Sequence, residues 1–160
     1  MYKRQYLYCY NNDLNNLDIS NNPELEILEC YDNAHLQIES IDDVMFRRNP
    51  YGTGIRVLDT TNNLKLKVLK CSSNEITSLD LSKNSQLLYL DCDDNRIEIL
   101  DVSTTQLNHY VPKTIVYSEY PLACKMASLK TLYLKRDWRL KGINDTSPVC
   151  IARNTQIIYK

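Results

Sequence analysis

Several residue types that loop-rich and membrane proteins use freely are scarce in this 160-residue chain. It has only three glycines and five prolines, and phenylalanine and tryptophan occur once each. No run approaches the roughly 18 apolar residues that suggest a membrane-spanning helix. The formal net charge of −1 leaves no basic field to attract nucleic acid or an anionic membrane surface. The sequence therefore predicts neither nucleic-acid binding nor membrane insertion.

What the chain does have is tyrosine, with twelve residues, and a periodic arrangement of leucine, cysteine and asparagine. Segments 66–74 and 87–95 carry Leu, Leu, Cys and Asn at the same internal spacing, 21 residues apart. The shared pattern continues as L-x-x-L-x-C-x-x-N-x-I-x-x-L-D-L-S, and further copies lie at 5–22 and 25–33. Self-similarity at a fixed period of this length indicates a repeat architecture.

The repeat predicts one short strand in each coil. Leu69 and Cys71 alternate with Val68, Lys70 and Ser72, which we expect to point outward, and this is the period-two pattern of a strand with one buried face. Such strands would stack in parallel, and Asn74 would end its strand by bonding backbone groups at the turn. Because 21 residues leave little room for a helix, we expect short 3₁₀ turns or extended backbone on the return side.

This pattern resembles the bacterial leucine-rich repeats of internalins and related cell-surface proteins, especially the short, 21-residue variety with cysteine in the strand. The resemblance covers nearly the whole chain. It implies an α/β-class but β-rich, right-handed horseshoe solenoid, with a parallel concave sheet and little or no regular helix on the convex side. It also implies adhesion or host-protein recognition at the cell surface or outside the cell, although no leader is visible in this chain.

The repeat divides the chain into a solenoid at 1–135, with about seven coils, and a C-terminal cap at 136–160. Two stretches, 34–57 and 108–128, are irregular. We expect the core face at the N-terminal end to be exposed, paired with another molecule, or covered by sequence outside this chain. The irregular coils either carry specificity or mark decay of the repeat.

The cysteine spacing predicts what the first irregular stretch contains. Cys71 follows Cys30 by 41 residues, one short of two periods, so we expect an altered third coil hidden within 34–57. Residues 42–48 are compatible with a short helical turn. Further on, three leucines follow three strand positions by 63 residues, which is three periods, and this predicts a last concave strand there: Leu129, Leu132 and Leu134.

One inward cysteine recurs in each well-formed coil: Cys9, Cys30, Cys71 and Cys92. The simplest interpretation is a ladder of reduced thiols that pack as small apolar groups, and a disulfide between stacked coils is the alternative. The spacing lacks the short C-x-x-C pair typical of zinc sites. Cys124 and Cys150 lie outside this ladder and could pair with each other.

Catalytic and metal-binding patterns are weak in this sequence. The aspartate series Asp18, Asp59, Asp80 and Asp101 and the asparagine series Asn12, Asn33, Asn74 and Asn95 recur once per coil, which favours turn hydrogen bonding over a cation site. His35 and His109 have no nucleophile beside them. We therefore predict no enzyme activity, no metal and no cofactor.

The outward strand positions are the best candidate for function, because several tyrosines should line one concave face. Tyrosine offers a large, rigid area and a hydroxyl at low entropic cost, although it is also a good strand former. The predicted binding residues are Tyr6, Tyr8, Tyr10, Glu29, Tyr31, Lys70, Tyr89, Asp91, Asp93, Tyr110, Tyr133 and Lys135.

This surface predicts a non-catalytic module for protein recognition or adhesion. The alternatives are a carbohydrate-binding surface module, since sugar rings pack on aromatic faces, and a structural spacer of a longer surface protein. A protein ligand is the favoured partner and a glycan the second. Self-association through the uncapped N-terminal face is a further expectation.

Overall fold

The computed structural model describes residues 4–34, 37–41, 44–48, 54–107, 121–136 and 154–160. No residue in these ranges is helical, so none of the described elements is a helix long and apolar enough to cross a membrane. The strands are β1 (Tyr6–Tyr8), β2 (Ile27–Glu29), β3 (Gln37–Ile41), β4 (Val44–Arg48), β5 (Val68–Lys70), β6 (Tyr89–Asp91), β7 (Ile99–Asp101), β8 (Leu122–Ala123), β9 (Thr131–Leu134) and β10 (Gln156–Tyr159).

Five of these strands form one parallel sheet, which we call the main sheet, in the order β1-β2-β5-β6-β8. Its register aligns one leucine per strand across the sheet: Leu7, Leu28, Leu69, Leu90 and Leu122. The leucine in each of the last four strands is buried. Because one face is apolar and sequential strands are parallel, each connection must cross back over that face, which encloses the core. The predicted β-rich parallel solenoid with extended return segments is confirmed.

The first irregular stretch is an insertion within one coil. Ile27 of β2 lies directly opposite Val68 of β5, so no coil intervenes, and the predicted hidden third coil is wrong. Instead, β3 and β4 pair antiparallel as a hairpin, and the helical turn predicted at 42–48 is also wrong. Ala34 before the hairpin and Gly54 after it are neighbours in space, since a Cβ on Gly54 would come within 3.0 Å of the Ala34 Cβ.

The last main-sheet strand is β8, whose Leu122 pairs with Leu90. The leucines predicted to lie in a concave strand are instead on the opposite side of the core. There, β9 joins β7 and β10 in a three-stranded parallel sheet, the return sheet, with Leu132 opposite Leu100. Return and strand segments share the same spacing of apolar residues, so the sequence pattern alone could not separate them.

The described residues contain five main-sheet strands, and the number of about seven coils stays a prediction because 108–120 and 137–153 lie outside them. One coil is lengthened by the hairpin, and the step from β6 to β8 is longer than the 21-residue period. The boundary between solenoid and cap stays a prediction because 137–153 lie outside the described residues. β10 does extend the return sheet by pairing in parallel with β9.

The cysteine ladder is longer than predicted. Cys9, Cys30, Cys71 and Cys92 are free thiols at successive ladder positions, as expected for the reduced interpretation. Cys124 is buried at the next position, because the Cys92 N–H donates to the Ala123 carbonyl at 2.9 Å; its assignment outside the ladder is wrong. Cys150, its proposed partner, lies outside the described residues.

Candidate functional site: the outer face of the main sheet

Each of the first four main-sheet strands ends in the same turn, and this turn fixes where its last outward side chain lies. One residue per turn has a positive φ, at Asn11 (55°), Asp32 (52°), Ser73 (52°) and Asp94 (49°). The next residue is an asparagine that bonds the backbone. Asn74 is typical, since its Nδ2 donates to the Cys30 carbonyl at 2.9 Å and its Oδ1 accepts from the Ile55 N–H at 3.0 Å. The prediction that the asparagine series bonds the turns is confirmed.

The first strand and the residues just after it present three tyrosines on the outer face, which is the side of the main sheet opposite the core. Tyr6, Tyr8 and Tyr10 are 52%, 56% and 42% exposed. Tyr10 stacks on Tyr31 of the next coil, with ring centroids 4.6 Å apart and planes 3° from parallel. That distance matches the spacing of neighbouring strands, so the sheet itself positions the stack. These four residues are the tyrosine patch.

The middle of the outer face is charged and internally paired. Lys70 Nζ lies 2.8 Å from Glu29 Oε1, and both side chains are mostly buried. Ser72 Oγ donates to Asp91 at 3.3 Å, and the Lys125 N–H donates to Asp93. Because their hydrogen-bonding capacity is largely used within the sheet, these groups shape the rim of the tyrosine patch more than they offer free charge.

Burial changes the acidity of the two aspartates in this cluster. It raises the pKa of Asp91 despite hydrogen bonds from the Asp93 N–H and Ser72. It raises the pKa of the Asp93 carboxyl to about 6, against the opposing bond from the Lys125 N–H, and the Asp91 and Asp94 carboxylates add to the rise. Asp93 therefore titrates close to neutral pH.

Three of the residues predicted for this face are not available on it. Tyr89 is only 6% exposed and packs with Val68 and Ile27, so it stabilises the sheet surface instead of offering a ring to a partner. Tyr133 lies in β9 of the return sheet, where Lys160 Nζ sits 3.9 Å from its ring centroid, and Lys135 directly follows β9. Their placement on the concave face is wrong. Tyr110 lies outside the described residues.

Two residues of the charged cluster were not among the predicted site residues. Ser72 occupies the outward position equivalent to Tyr31 in the neighbouring coil, and that position was visible in the period. Lys125 contacts Asp93 only because β8 is the neighbour of β6. Since that pairing depends on a coil longer than the period, the repeat alone could not identify Lys125.

The aspartate series on the return side makes turn bonds of the predicted kind. Asp18 Oδ1 accepts from the Ser20 N–H at 2.9 Å, and Asp80 Oδ1 accepts from the Ser82 N–H at 2.9 Å. Hydrogen bonds from the side chain and backbone of Ser20 lower the pKa of Asp18, and those from the backbone and side chain of Ser82 lower the pKa of Asp80. Among the described residues, no group of three or more His, Cys, Asp or Glu is arranged to hold a metal ion. His35 and His109 lie outside those residues.

Comparison with known proteins gives one structural similarity. No family model matches the chain, and no curated protein matches it. A solved structure described as the functional domain of InlJ from Listeria monocytogenes, which includes a cysteine ladder, is 26% identical, with a TM-score of 0.37. The match covers 82% of this chain but only 30% of that one. A TM-score of this size supports no conclusion about function, and any function assigned to this chain must rest on its own residues.

Proposed function

We propose that this chain is a non-catalytic leucine-rich-repeat module, internalin-like in its short repeats, that recognises another protein through the tyrosine patch. The observation that carries the proposal is the grouping of exposed Tyr6 and Tyr8 on β1 with Tyr10 just after it, where Tyr10 is held against Tyr31. Exposed aromatic residues on a rigid frame are typical of binding hot spots, where truncation costs about 2 kcal/mol or more.

Rigidity of the frame supports recognition over a purely structural role. The stack of Tyr10 on Tyr31 and the ion pair of Lys70 with Glu29 restrict the side chains before any partner arrives. A surface ordered in advance loses less conformational entropy on binding. A spacer segment would gain nothing from this arrangement, and we place it behind recognition.

An extracellular or cell-surface location is part of the proposal. Thiols are at risk in an oxidising compartment, but the thiolate is the reactive form. Burial raises the pKa of Cys30, Cys71 and Cys92 well above the usual value, so these thiols stay protonated and shielded. A ladder of reduced cysteines is therefore compatible with an extracellular location of the protein.

A glycan is the second candidate partner, because exposed tyrosine rings also pack against sugar rings. Tyr6 and Tyr8 offer exposed rings of this kind. A glycan array and a displayed library of extracellular protein domains, probed with the same full chain, separate the two partner classes.

The test compares patch variants with a matched control. Tyr8→Ala and Tyr31→Ala should each weaken binding of a protein ligand from the library at least tenfold, which corresponds to about 1.4 kcal/mol. Tyr159→Ala removes a tyrosine that is 48% exposed but belongs to the return sheet, and it should leave affinity unchanged. Ligands that ignore both patch variants, or binding confined to glycans, would refute protein recognition through this patch.

A further inference from the structure

The outer edge of β1 has backbone groups that no described residue pairs with. The Cys9 N–H donates to the Glu29 carbonyl at 2.8 Å, and the Ile27 N–H donates to the Gln5 carbonyl at 3.0 Å. The backbone N–H and C=O groups of the odd-numbered residues along β1 thus point toward β2. Because alternate residues of a strand bond to opposite sides, the N–H and C=O groups of Tyr6 and Tyr8 point away from the sheet.

The core beneath this edge is also less enclosed than elsewhere in the main sheet. Leu7 and Cys9 are only partly buried, whereas Leu28 and Cys30, at the same positions of the next strand, have no exposed surface. One more strand beside β1 would cover both residues and satisfy the edge. An exposed edge with apolar neighbours is the usual template for pairing with another chain.

We infer that the occupant is a second copy of this chain, with β1 pairing antiparallel to β1 about a two-fold axis at Tyr8. In that register, Tyr8 faces Tyr8 of the second copy and Tyr6 faces Tyr10. The backbone groups of all these residues point outward, so the opposed Tyr8 residues can exchange both of their N–H···O bonds. The Tyr10 carbonyl already accepts from Asn12 Nδ2 at 2.9 Å, and its second lone pair is left for the Tyr6 N–H of the other copy. The arrangement is isologous, since the same patch serves both molecules.

Charge favours a second copy over an unrelated strand. No side chain from Gln5 to Asn12 is charged, so a symmetric pair places no like charges opposite each other. The chain is basic before this segment, at Arg4, and acidic after it, at Asp13. Antiparallel pairing brings Arg4 of one copy within one residue of Asp13 of the other in register. A parallel pairing would instead align like charges.

The same pairing would join two tyrosine patches across the new strand pair. Aromatic residues facing each other across an antiparallel pair contribute roughly 0.2–1 kcal/mol per pair. The inference concerns the edge of β1 and does not depend on the proposed function. Tyr31 distinguishes the inferred pairing edge from the proposed binding surface, because it lies on the outer face but one strand away from the edge.

Cysteine cross-linking tests the register directly. Opposed residues that exchange hydrogen bonds have Cα atoms about 5.5 Å apart, within the range of about 4.4–6.8 Å that a disulfide needs. Under mild oxidation, Tyr8→Cys should form a covalent dimer with itself. Tyr6→Cys should not, because its two copies lie about 14 Å apart along the strand, but it should cross-link when mixed with Tyr10→Cys. Wild type reports any background from Cys9.

Sedimentation equilibrium of the uncross-linked protein gives the second readout. Wild type should be in monomer–dimer equilibrium, and Tyr8→Pro should weaken dimerisation at least tenfold, because it removes an N–H that points only outward. Tyr8→Ala keeps that N–H and should weaken it less, while Tyr31→Ala should leave it unchanged. Circular dichroism checks that each variant is folded. A strictly monomeric wild type, or Tyr8→Cys cross-linking no better than Tyr6→Cys alone, overturns the inference.

Discussion

Asn63 and Asn84 occupy the same buried position in successive coils, but only Asn84 has both ends of its amide satisfied. Asn84 Nδ2 donates to the Thr60 carbonyl at 3.1 Å, and its Oδ1 accepts from Thr60 Oγ1 at 2.9 Å. Asn63 Nδ2 donates to the Ile19 carbonyl at 3.1 Å, yet its Oδ1 has no partner among the described residues. The position that Thr60 fills next to Asn84 is filled next to Asn63 by Ile19, which has no hydroxyl to donate.

This difference predicts that a threonine hydroxyl is favourable at both positions, although only position 60 has one. Thr60→Val should destabilise the protein by about 1–3 kcal/mol, because it leaves the Asn84 oxygen without a donor. Ile19→Thr should be at least as stable as Ile19→Val, because its hydroxyl can donate to Asn63 as Thr60 does to Asn84. In an ordinary apolar site the added hydroxyl would cost about 1–3 kcal/mol. Urea unfolding of the three variants measures both differences.

The double variant Ile19→Thr with Asn63→Ala provides the control. Without the Asn63 acceptor, the threonine hydroxyl should revert to its ordinary cost relative to valine at position 19. If Ile19→Thr is already well below Ile19→Val when Asn63 is present, the interpretation of the unsatisfied oxygen is wrong.

Asp93 predicts an unusual dependence of stability on pH. Burial raises the pKa of its carboxyl to about 6 in the folded chain, against about 3.9 when unfolded. Between these values the folded state binds more protons, so its contribution is most favourable below about pH 4 and is lost as pH rises through about 6. Asp93→Asn keeps an acceptor for the Lys125 N–H without the charge. The melting temperature of Asp93→Asn should therefore rise relative to that of wild type as the pH is raised from 4 to 7.

Asp80 serves as a control of opposite sign. Hydrogen bonds from Ser82 lower the pKa of its carboxyl, so the charged form stabilises the fold above the unfolded pKa of about 3.9. That contribution is lost as pH falls through the folded value. The melting temperature of Asp80→Asn should thus fall relative to that of wild type as the pH rises from 2 to 5. A wild-type curve parallel to Asp93→Asn from pH 4 to 7 would contradict the role given to Asp93.

At the scale of elements, the repeat period predicted parallel strands, but it did not predict which segment forms each strand. Strand and return segments both bury three apolar residues with the same spacing. The strand residues Leu66, Leu69 and Cys71 are spaced like the return residues Ile97, Leu100 and Val102. Where the period breaks, only pairing identifies the segment. Leu132 proved to be the partner of Leu100, and this moved Tyr133 away from the predicted site.

The tyrosine patch could be predicted because it lies in the best-preserved copies of the repeat, where alternation places Tyr6, Tyr8 and Tyr10 outward. The burial of Tyr89 could not, because it results from contacts with Val68 and Ile27 on the same face. A period of two specifies the face on which a side chain lies. It does not specify whether its neighbours cover it.

The hairpin inserted between β2 and β5 is predicted to be dispensable for the fold. Its ends meet at Ala34 and Gly54, and Ile55 fills the core position that Ile76 fills in the next coil. Deleting 35–54 joins Ala34 to Ile55 and restores a 21-residue coil. The variant should fold with a melting temperature within a few degrees of wild type, since loop-closure entropy changes only slowly with the length of an inserted segment.

A deletion longer by one residue gives a sharp comparison. Removing 35–55 takes away Ile55, which has no exposed surface, and puts the next residue out of register with the core. Loss of one large buried side chain costs about 2–5 kcal/mol. The two deletions should differ by at least that amount in urea unfolding. Equal stabilities, or failure of the 20-residue deletion to fold, would show that the hairpin is part of the structural unit.

Across the whole molecule, the cysteine ladder places a chemical reporter in each strand of the main sheet. Cys9 lies at the open end and is partly exposed, while Cys30, Cys71 and Cys92 are buried. Repeat proteins are stabilised mainly by contacts between neighbouring coils, so a terminal coil with one neighbour opens more readily than a central one with two. The alkylation rate of each buried thiol then depends on the local opening free energy, and Cys9 needs the least opening because it is already partly exposed.

Iodoacetamide labelling followed by peptide mass spectrometry should find Cys9 modified at least about tenfold faster than Cys71, a difference of about 1.4 kcal/mol in opening free energy. Cys30 and Cys92 should fall between them. Equal rates at Cys9 and Cys71 would mean that the solenoid opens only as a unit. Protein concentration adds one distinction: if two copies pair along β1, a higher concentration slows labelling of Cys9, which lies beneath the paired edge, and leaves the rate at Cys71 unchanged.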